Sequence, residues 1–193
     1  MKKFKIYLAG RIPLVEEKEV DQDWRNRYAE VIKNIVPQAV ILDPSKRLIY
    51  EADSKAVFGH DLFLIKISDV LLVNAEIQLG LGTSQELIIA KYFQKPIIAV
   101  SPKGSYYARP YLVNGNKIGG DRHPFLNLVA DTIIENISKL GTALENIEIA
   151  SKNDSQNWDM FIHEAIDYYL GKYFPLDEIT KDVLRGSKDI PKR

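Results

Sequence analysis

Apolar residues gather in four short, nearly unbroken runs: FKIYLAG at 4–10, QAVILDP at 38–44, DVLLVNA at 69–75 and PIIAVSP at 96–102. Gly, Pro, Asp or Asn bounds each one. Continuous rather than alternating apolarity is the signature of strands in a sheet covered on both faces. Between the runs lie segments of helical length. Residues 21–35, DQDWRNRYAEVIKNI, place Trp24, Tyr28, Val31, Ile32 and Ile35 at helical spacing, and Pro37 ends the run. Residues 54–67 and 83–94 supply the second and third crossovers. This alternation predicts an α/β fold: a flavodoxin/Rossmann-like, doubly wound parallel sheet of about five strands with helices on both faces. Right-handed crossovers then gather the loops after the strands on one edge, where such sheets bind ligands.

The pattern changes after residue 100. The stretch SPKGSYYARPYLVNGNKIGGDRHP, 101–124, is too long for an ordinary connection and reads as a lid or partner-contact loop. A helix is expected at about 125–139 (FLNLVADTIIENISK), then a short edge strand near NIEIA, 146–150. A last, added helix at 157–174 aligns Trp158, Phe161, Ile162, Ala165, Ile166 and Tyr169 on one face that must dock on something. One α/β domain is expected over 1–175, followed by a polar tail, 176–193, frayed or disordered from Thr180. No internal repeat or low-complexity segment is present.

Composition narrows the chemistry. A chain of 193 residues buries roughly 70% of its extended surface on folding, enough for one core. Its 26 Lys and Arg balance 26 Asp and Glu, so no overall field steers it toward nucleic acid or anionic lipid, and the cations are scattered. The absence of Cys removes disulfides, thiolate catalysis and Cys-ligated metal, and three separated His argue against a His-based site. Neither metal nor cofactor is expected. The N-terminal MKKFKIYLAGRIP is basic then apolar, but too short and too soon charged for a leader, so a cytoplasmic protein away from membranes is expected. Oxygen nucleophiles and carboxylates remain as reactive groups.

Two acids stand out. Asp61 lies four residues after Val57 and four before Ile65, on the apolar side of its helix, so its carboxylate faces the sheet edge. The alternative is an acid that satisfies itself on neighbouring backbone. Glu86 lies in LGLGTSQEL, where Gly80 and Gly82 permit a tight turn with close approach of backbone to a ligand and Thr83 opens a helix. T-S-Q-E is equally a capping box, in which Thr83 caps the helix and Glu86 folds back on the cap.

Tyr7 in KIYLAG, the run from Asp61 through Ile65 to SDVLLVNA, and GTSQELIIAKYFQKPII occur in the order and approximate spacing of one family. In these pieces the chain resembles the nucleoside 2-deoxyribosyltransferases and the related nucleoside 5′-monophosphate N-glycosidases. The resemblance covers about the first hundred residues. It implies cleavage or exchange of an N-glycosidic bond, with Glu86 as nucleophile, Asp61 as the acid assisting sugar and nucleophile, Tyr7 orienting the glutamate and Asn74 lining the pocket. A covalent glycosyl-glutamate would form, as in retaining glycosidases. The helix N-terminus around Glu86 should lower its pKa and keep it ionised. Many transferases of the family carry an Asp two residues before the glycine of G-T-x-x-E; this chain has Gly80 there. The monophosphate hydrolases lack that Asp and hold a 5′-phosphate with hydroxyls, amides and an arginine. Ser84, Arg11 beside Gly10 in AGRIP, and Lys103 or Arg109 can play those parts. The resemblance further implies a homodimer or higher homo-oligomer whose neighbouring subunit completes the pocket, with Asn114 as a possible donor. Asp43 ends a strand on the binding edge or makes an Asp-Pro turn. His60 adjoins Asp61, His123 precedes a helix, and Tyr106, Tyr107 and Tyr111 can stack on a base or pack on a subunit. Two other functions fit the same pieces: a phosphoribohydrolase of the cytokinin-activating type, whose usual Pro-Gly-Gly opening LGLGTSQE lacks, and a nucleotide-sensing module that does no chemistry.

Overall fold

The apolar runs pair side by side. In the structure, a computed structural model that describes residues 4–12, 24–48, 53–113, 115–118, 122–151 and 158–185, the chain forms β1 (Lys5–Ala9), α1 (Trp24–Ile35), β2 (Val40–Leu42), α2 (Ser54–Ile67), β3 (Val70–Asn74), α3 (Leu81–Tyr92) and β4 (Ile97–Val100). It continues through β5 (Tyr111–Val113), β6 (Asn116–Ile118), α4 (Pro124–Val129), β7 (Thr132–Ile134), α5 (Leu140–Ser151), α6 (Trp158–Lys172) and α7 (Glu178–Val183). Strands β2-β1-β3-β4-β7, in that order, make one five-stranded sheet in which every pairing is parallel. This is the flavodoxin-like winding, which reverses between β1 and β3. The crevice that such a reversal leaves lies beyond Ala9 and Asn74.

The two sheet faces are sealed differently. Ile6, Leu8, Val70, Leu72, Ile98 and Val100 pack with Trp24, Tyr28 and Ile32 of α1 and with Leu140, Ala143, Leu144 and Ile147 of α5. Full burial of each such aliphatic side chain contributes about 1.5–3 kcal/mol. Side chains alternate across a strand, so Tyr7, Leu71, Val73, Ile97 and Ala99 turn to the opposite face, toward α2 and α3. Helix α1 is strongly amphipathic, with Trp24, Tyr28 and Ile32 buried.

Two expectations change beyond residue 124. The helix expected over 125–139 stops at Val129, and Thr132–Ile134 becomes the fifth sheet strand, with Ile98 beside Thr132 and Val100 beside Ile134. Asp131 makes the break. Its carboxylate accepts from Ile97 N at 2.7 Å and from Lys91 Nζ at 2.6 Å, and the β-branched Thr-Ile-Ile that follows suits the sheet edge. The edge strand expected near 146–150 is instead the second half of α5, because Leu140, Ala143, Leu144 and Ile147 are buried at helical spacing. The stretch 101–124 contains an antiparallel hairpin, β5–β6, whose turn places Gly115 at φ +76°.

The chain divides into two compact units, Met1–Ser155 and Gln156–Arg193. In the second unit Asp177 caps α7: its carboxylate accepts from Thr180 N at 3.0 Å, Thr180 Oγ1 at 2.9 Å and the Tyr169 hydroxyl at 2.8 Å. The residues after Thr180, expected to fray, are therefore helical to Val183, and 186–193 lie outside the described residues. On the α6 face expected to dock, Ile162 and Ile166 are 42% and 48% exposed; the side chains of Trp158 and Phe161 lie outside the described set. Among the described residues no helix is long and apolar enough to cross a membrane.

Asp131→Ala strips the Ile97 amide of its side-chain acceptor and is expected to cost about 1–2 kcal/mol, read as a lower midpoint in urea denaturation with an unchanged slope.

Candidate functional site

Tyr7 sits mid-strand in β1, between Leu42 of β2 and Leu71 of β3, and is fully buried. Two residues past its neighbour Leu8, Gly10 leaves the sheet. A β-carbon built on Gly10 would lie 2.5 and 2.9 Å from ring atoms of Trp24 and 3.2 Å from Asn74 Cβ. Only glycine lets α1 close this tightly over the strand ends. Asn74 closes β3, is buried, and accepts from Glu76 N at 3.1 Å, which orders the departing loop.

Helix α3 turns Thr83, Leu87 and Ala90 inward, and Glu86 lies on that side, three residues after Thr83 and four before Ala90. The helix starts at Leu81 with Gly80 as its cap residue, and no side chain caps it. The capping box is thus not formed. Thr83 is buried, and Glu86 reaches across to the sheet, where its Oε1 accepts from the Tyr7 hydroxyl at 2.7 Å. Oε2 is buried and has no hydrogen-bond partner among the described residues.

The electrostatics of Glu86 run opposite to expectation. Its pKa is not lowered by the helix terminus but pushed up to about 7. Burial is the largest cause; Asp61 adds to it, while the Tyr7 hydrogen bond, Arg25 and Arg47 oppose it. Helix-end amides act over the first turn, and Glu86 lies beyond it, where loss of hydration dominates. Burial and the neighbouring Glu86 and Asp61 push the Tyr7 phenol far above its ordinary range, so it stays a donor.

Asp61 Oδ1 meets His60 Nδ1 at 2.9 Å and Arg47 Nη1 at 3.6 Å. It is therefore held by side chains rather than by neighbouring backbone, and its charge reaches both Tyr7 and Glu86. Asp43 follows the last residue of β2 and turns the chain by accepting from Ser45 N at 2.9 Å, and it also stands 3.2 Å from Arg25 Nε. Sequence reasoning passed over Arg25 and Arg47. The available signals were a cation inside the apolar stripe of α1, between Trp24 and Tyr28, and an arginine four residues after Asp43.

The remaining residues fall into place around this centre or away from it. The Cγ of Arg11 comes to 3.9 Å of a β-carbon built on Gly80, so its stem bridges the end of β1 and the start of α3. Gly82 meets nothing within 4 Å of a built β-carbon, so space rather than sterics surrounds it. Ser84 is exposed and its Oγ donates to Gly80 O at 3.2 Å. Lys103 pairs with Glu135 at 3.6 Å and Arg109 stacks on Tyr106 at 4.7 Å, so both are engaged elsewhere. The Tyr107 hydroxyl accepts from Leu79 N at 2.9 Å, and His123 opens α4 as its cap residue. Asn114 and the Tyr111 side chain lie outside the described set. Among the described residues no three His, Asp or Glu gather as a metal site.

No protein-family model and no curated protein sequence matches the chain. Among solved structures, a 2-deoxyribosyltransferase of the psychrotolerant bacterium Bacillus psychrosaccharolyticus is similar, with a TM-score of 0.51 and 19% identity over 71% of this chain and 90% of that one. The likeness is one of fold. A 2-deoxyribosyltransferase of Leishmania mexicana gives a TM-score of 0.46 at 17% identity, over 62% of this chain and 81% of that one. A CMP N-glycosidase of Clostridium botulinum gives 0.41 at 14%, over 73% and 98%. At those two scores the correspondence is too loose to superpose sites.

Because the Glu86 carboxyl binds its proton more tightly in the folded chain, its contribution to stability is intact below the unfolded value near 4.5 and is lost as pH rises through about 7. Glu86→Gln, which still accepts from Tyr7, is expected to be more stable than the native protein by about 3 kcal/mol at pH 8 and indistinguishable at pH 4, by denaturant titration at the two pH values.

Proposed function

We propose that this chain cleaves or exchanges the N-glycosidic bond of a nucleoside or nucleoside 5′-monophosphate, with Glu86 as nucleophile. The observation that carries this reading is the Tyr7–Glu86 pair: one carboxylate oxygen is pinned by the phenol while the other is buried without a hydrogen-bond partner among the described residues. Glu86 in its ionised form bonds to C1′ of the sugar through Oε2 as the C1′–N bond breaks; the electron pair leaves with the base, which is neutralised by a proton. Water or a second base then attacks C1′ from the face the first base left, and the glutamate departs. Tyr7 holds the nucleophile's rotamer, and Asp61, fixed by His60 and Arg47, assists sugar and nucleophile from α2. Gly10, Asn74, Gly80, Gly82, Thr83 and Ser84 form the substrate side of the crevice. What supports a 5′-monophosphate as substrate is the stem of Arg11 lying beside Gly80 at the start of α3.

The outward faces of α2, α3 and α4 support self-association as a homodimer or larger homo-oligomer. Phe58, Phe63, Leu81, Tyr92 and Phe125 are all exposed there, apolar side chains that a second copy would cover. Light scattering is expected to give at least twice the monomer mass, and Phe63→Glu to reduce it.

Incubation with nucleosides and 5′-monophosphates, with and without an acceptor base, tests the reading. Free base without acceptor indicates hydrolysis, base-swapped product indicates transfer, and ligand binding without either overturns the reading in favour of a sensor. Glu86→Ala should abolish turnover, and Tyr7→Phe should lower kcat/KM roughly 10- to 100-fold. Since the ionised carboxylate attacks, kcat/KM should rise with pH through a midpoint of about 7, and Tyr7→Phe should move that midpoint upward. Full activity of Glu86→Ala on every substrate would refute the assignment.

A further inference from the structure

The segment after β4 closes against the approach to α3. Ser101 N donates to Ile134 O at 2.8 Å, Ser105 N to Pro102 O at 3.1 Å and Ala108 N to Ser105 O at 3.0 Å, so the chain turns twice, with Gly104 at φ +77°. Tyr107 is fixed within it. Its carbonyl accepts from His123 N at 2.7 Å, and its ring meets those of Tyr106 and His123 edge-on, with centroids 4.9 and 5.9 Å away. Its hydroxyl accepts from Leu79 N at 2.9 Å, one residue before the Gly80 that caps α3. A phenol also has a proton to give, and this one has no acceptor among the described residues. Burial raises the pKa of the Tyr107 phenol, so the proton stays on it. The start of α3 is open. Among the described residues, a β-carbon built on Gly80 meets the Arg11 stem at 3.9 Å, and one built on Gly82 meets nothing within 4 Å.

We propose that Tyr107 is a specificity-determining residue of the crevice, its hydroxyl donating to an exocyclic carbonyl oxygen of the base, O6 of a purine or O4 of a pyrimidine. This rests on the reading of Glu86 as nucleophile of an N-glycosidic reaction, which makes the loop from Ala75 to Gly80 a wall of the substrate site. Leu79 N occupies one side of the hydroxyl oxygen and the ring is held by its neighbours, so the directions left to the proton are few before substrate arrives. Glu86 lies five residues into α3, about 7.5 Å along its axis from the start, so the group that Tyr107 meets is remote from C1′. O6 and O4 are the base carbonyls farthest from the sugar. A neutral donor suits a neutral acceptor. The cations of the same segment are committed elsewhere, Lys103 to Glu135 at 3.6 Å and Arg109 to the Tyr106 ring at 4.7 Å, and do not bring the charge that a phosphate calls for. A base without the carbonyl leaves the hydroxyl unpaired, and discrimination follows from that loss.

The test is calorimetric titration of the full-length Glu86→Gln protein, which keeps an acceptor for Tyr7 and forms no ester. The probes are two pairs of riboside 5′-monophosphates: inosine against purine riboside, which lacks O6, and uridine against pyrimidin-2-one riboside, which lacks O4. Adding Tyr107→Phe keeps the ring and its packing. It should weaken binding of the oxygen-bearing member of at least one pair by about 5- to 10-fold and change its counterpart by less than about twofold. Equal losses within both pairs mean that the hydroxyl serves the Leu79 amide alone, and they overturn the proposal, as does no loss in any probe. Equal losses that vanish when the unphosphorylated nucleosides are used place the acceptor on the phosphate and overturn it too. If Glu86→Gln binds none of the probes and the native protein frees no base from them, the N-glycosidic reading fails and this proposal with it. Binding that is indifferent to Tyr107 sinks the proposal and leaves that reading standing.

Discussion

A largely buried carboxyl group held against a fully buried tyrosine sets the terms for the rest of the first unit. Glu86 has to arrive from α3 and Tyr7 from β1, elements joined only through the parallel sheet, so the 2.7 Å hydrogen bond between them exists because β1, β3 and α3 pack in register. Everything near the pair is arranged around its desolvation. Gly10 lets α1 close down on the strand ends, Asn74 orders the loop that leaves β3, and two arginines bring positive charge toward a carboxyl that burial drives toward neutrality. With its pKa pushed up to about 7 by burial, the group's charge responds to its surroundings in the neutral range.

The sheet was legible because its strands are nearly unbroken apolar runs, and such runs have few ways to be satisfied other than burial between two helix layers. Helix α2 was legible over Ser54–Ile67 for a related reason, with Asp53 accepting from Ala56 N at its start. The region from 125 to 150 was not, since the sequence there is apolar at both helical and strand spacing. What separates the two readings is Asp131, whose carboxylate is committed to the backbone of a strand far earlier in the chain. No local pattern contains that partner. The same limit hid the helical residues after Thr180, where Asp177 supplies the cap and Tyr169 steadies it.

At the site, order along the chain was enough to bring Tyr7, Asp61 and Glu86 to notice, and the structure sets their side chains within one another's field. Their electrostatics were not legible. A glutamate in the opening half of a helix reads as stabilised in its charged form, but the sequence does not say how much water remains around it, and burial is the larger effect here. Arg25 and Arg47 were overlooked for the complementary reason: a basic residue in a helix or turn reads as solvated until the acid it serves is known to lie beneath it.

The bond from Leu79 N to the Tyr107 hydroxyl, at 2.9 Å, makes one mechanical piece of two segments that are distant in sequence. The loop that feeds α3 cannot lengthen or rotate without either carrying the 101–109 segment along or leaving an amide unsatisfied, at about 1–3 kcal/mol. Glu86 therefore rides on a helix whose approach is braced from outside the sheet. A perturbation that begins at the tyrosine-rich segment has a short covalent route, Leu79 to Glu86, by which to alter the reach of the carboxylate.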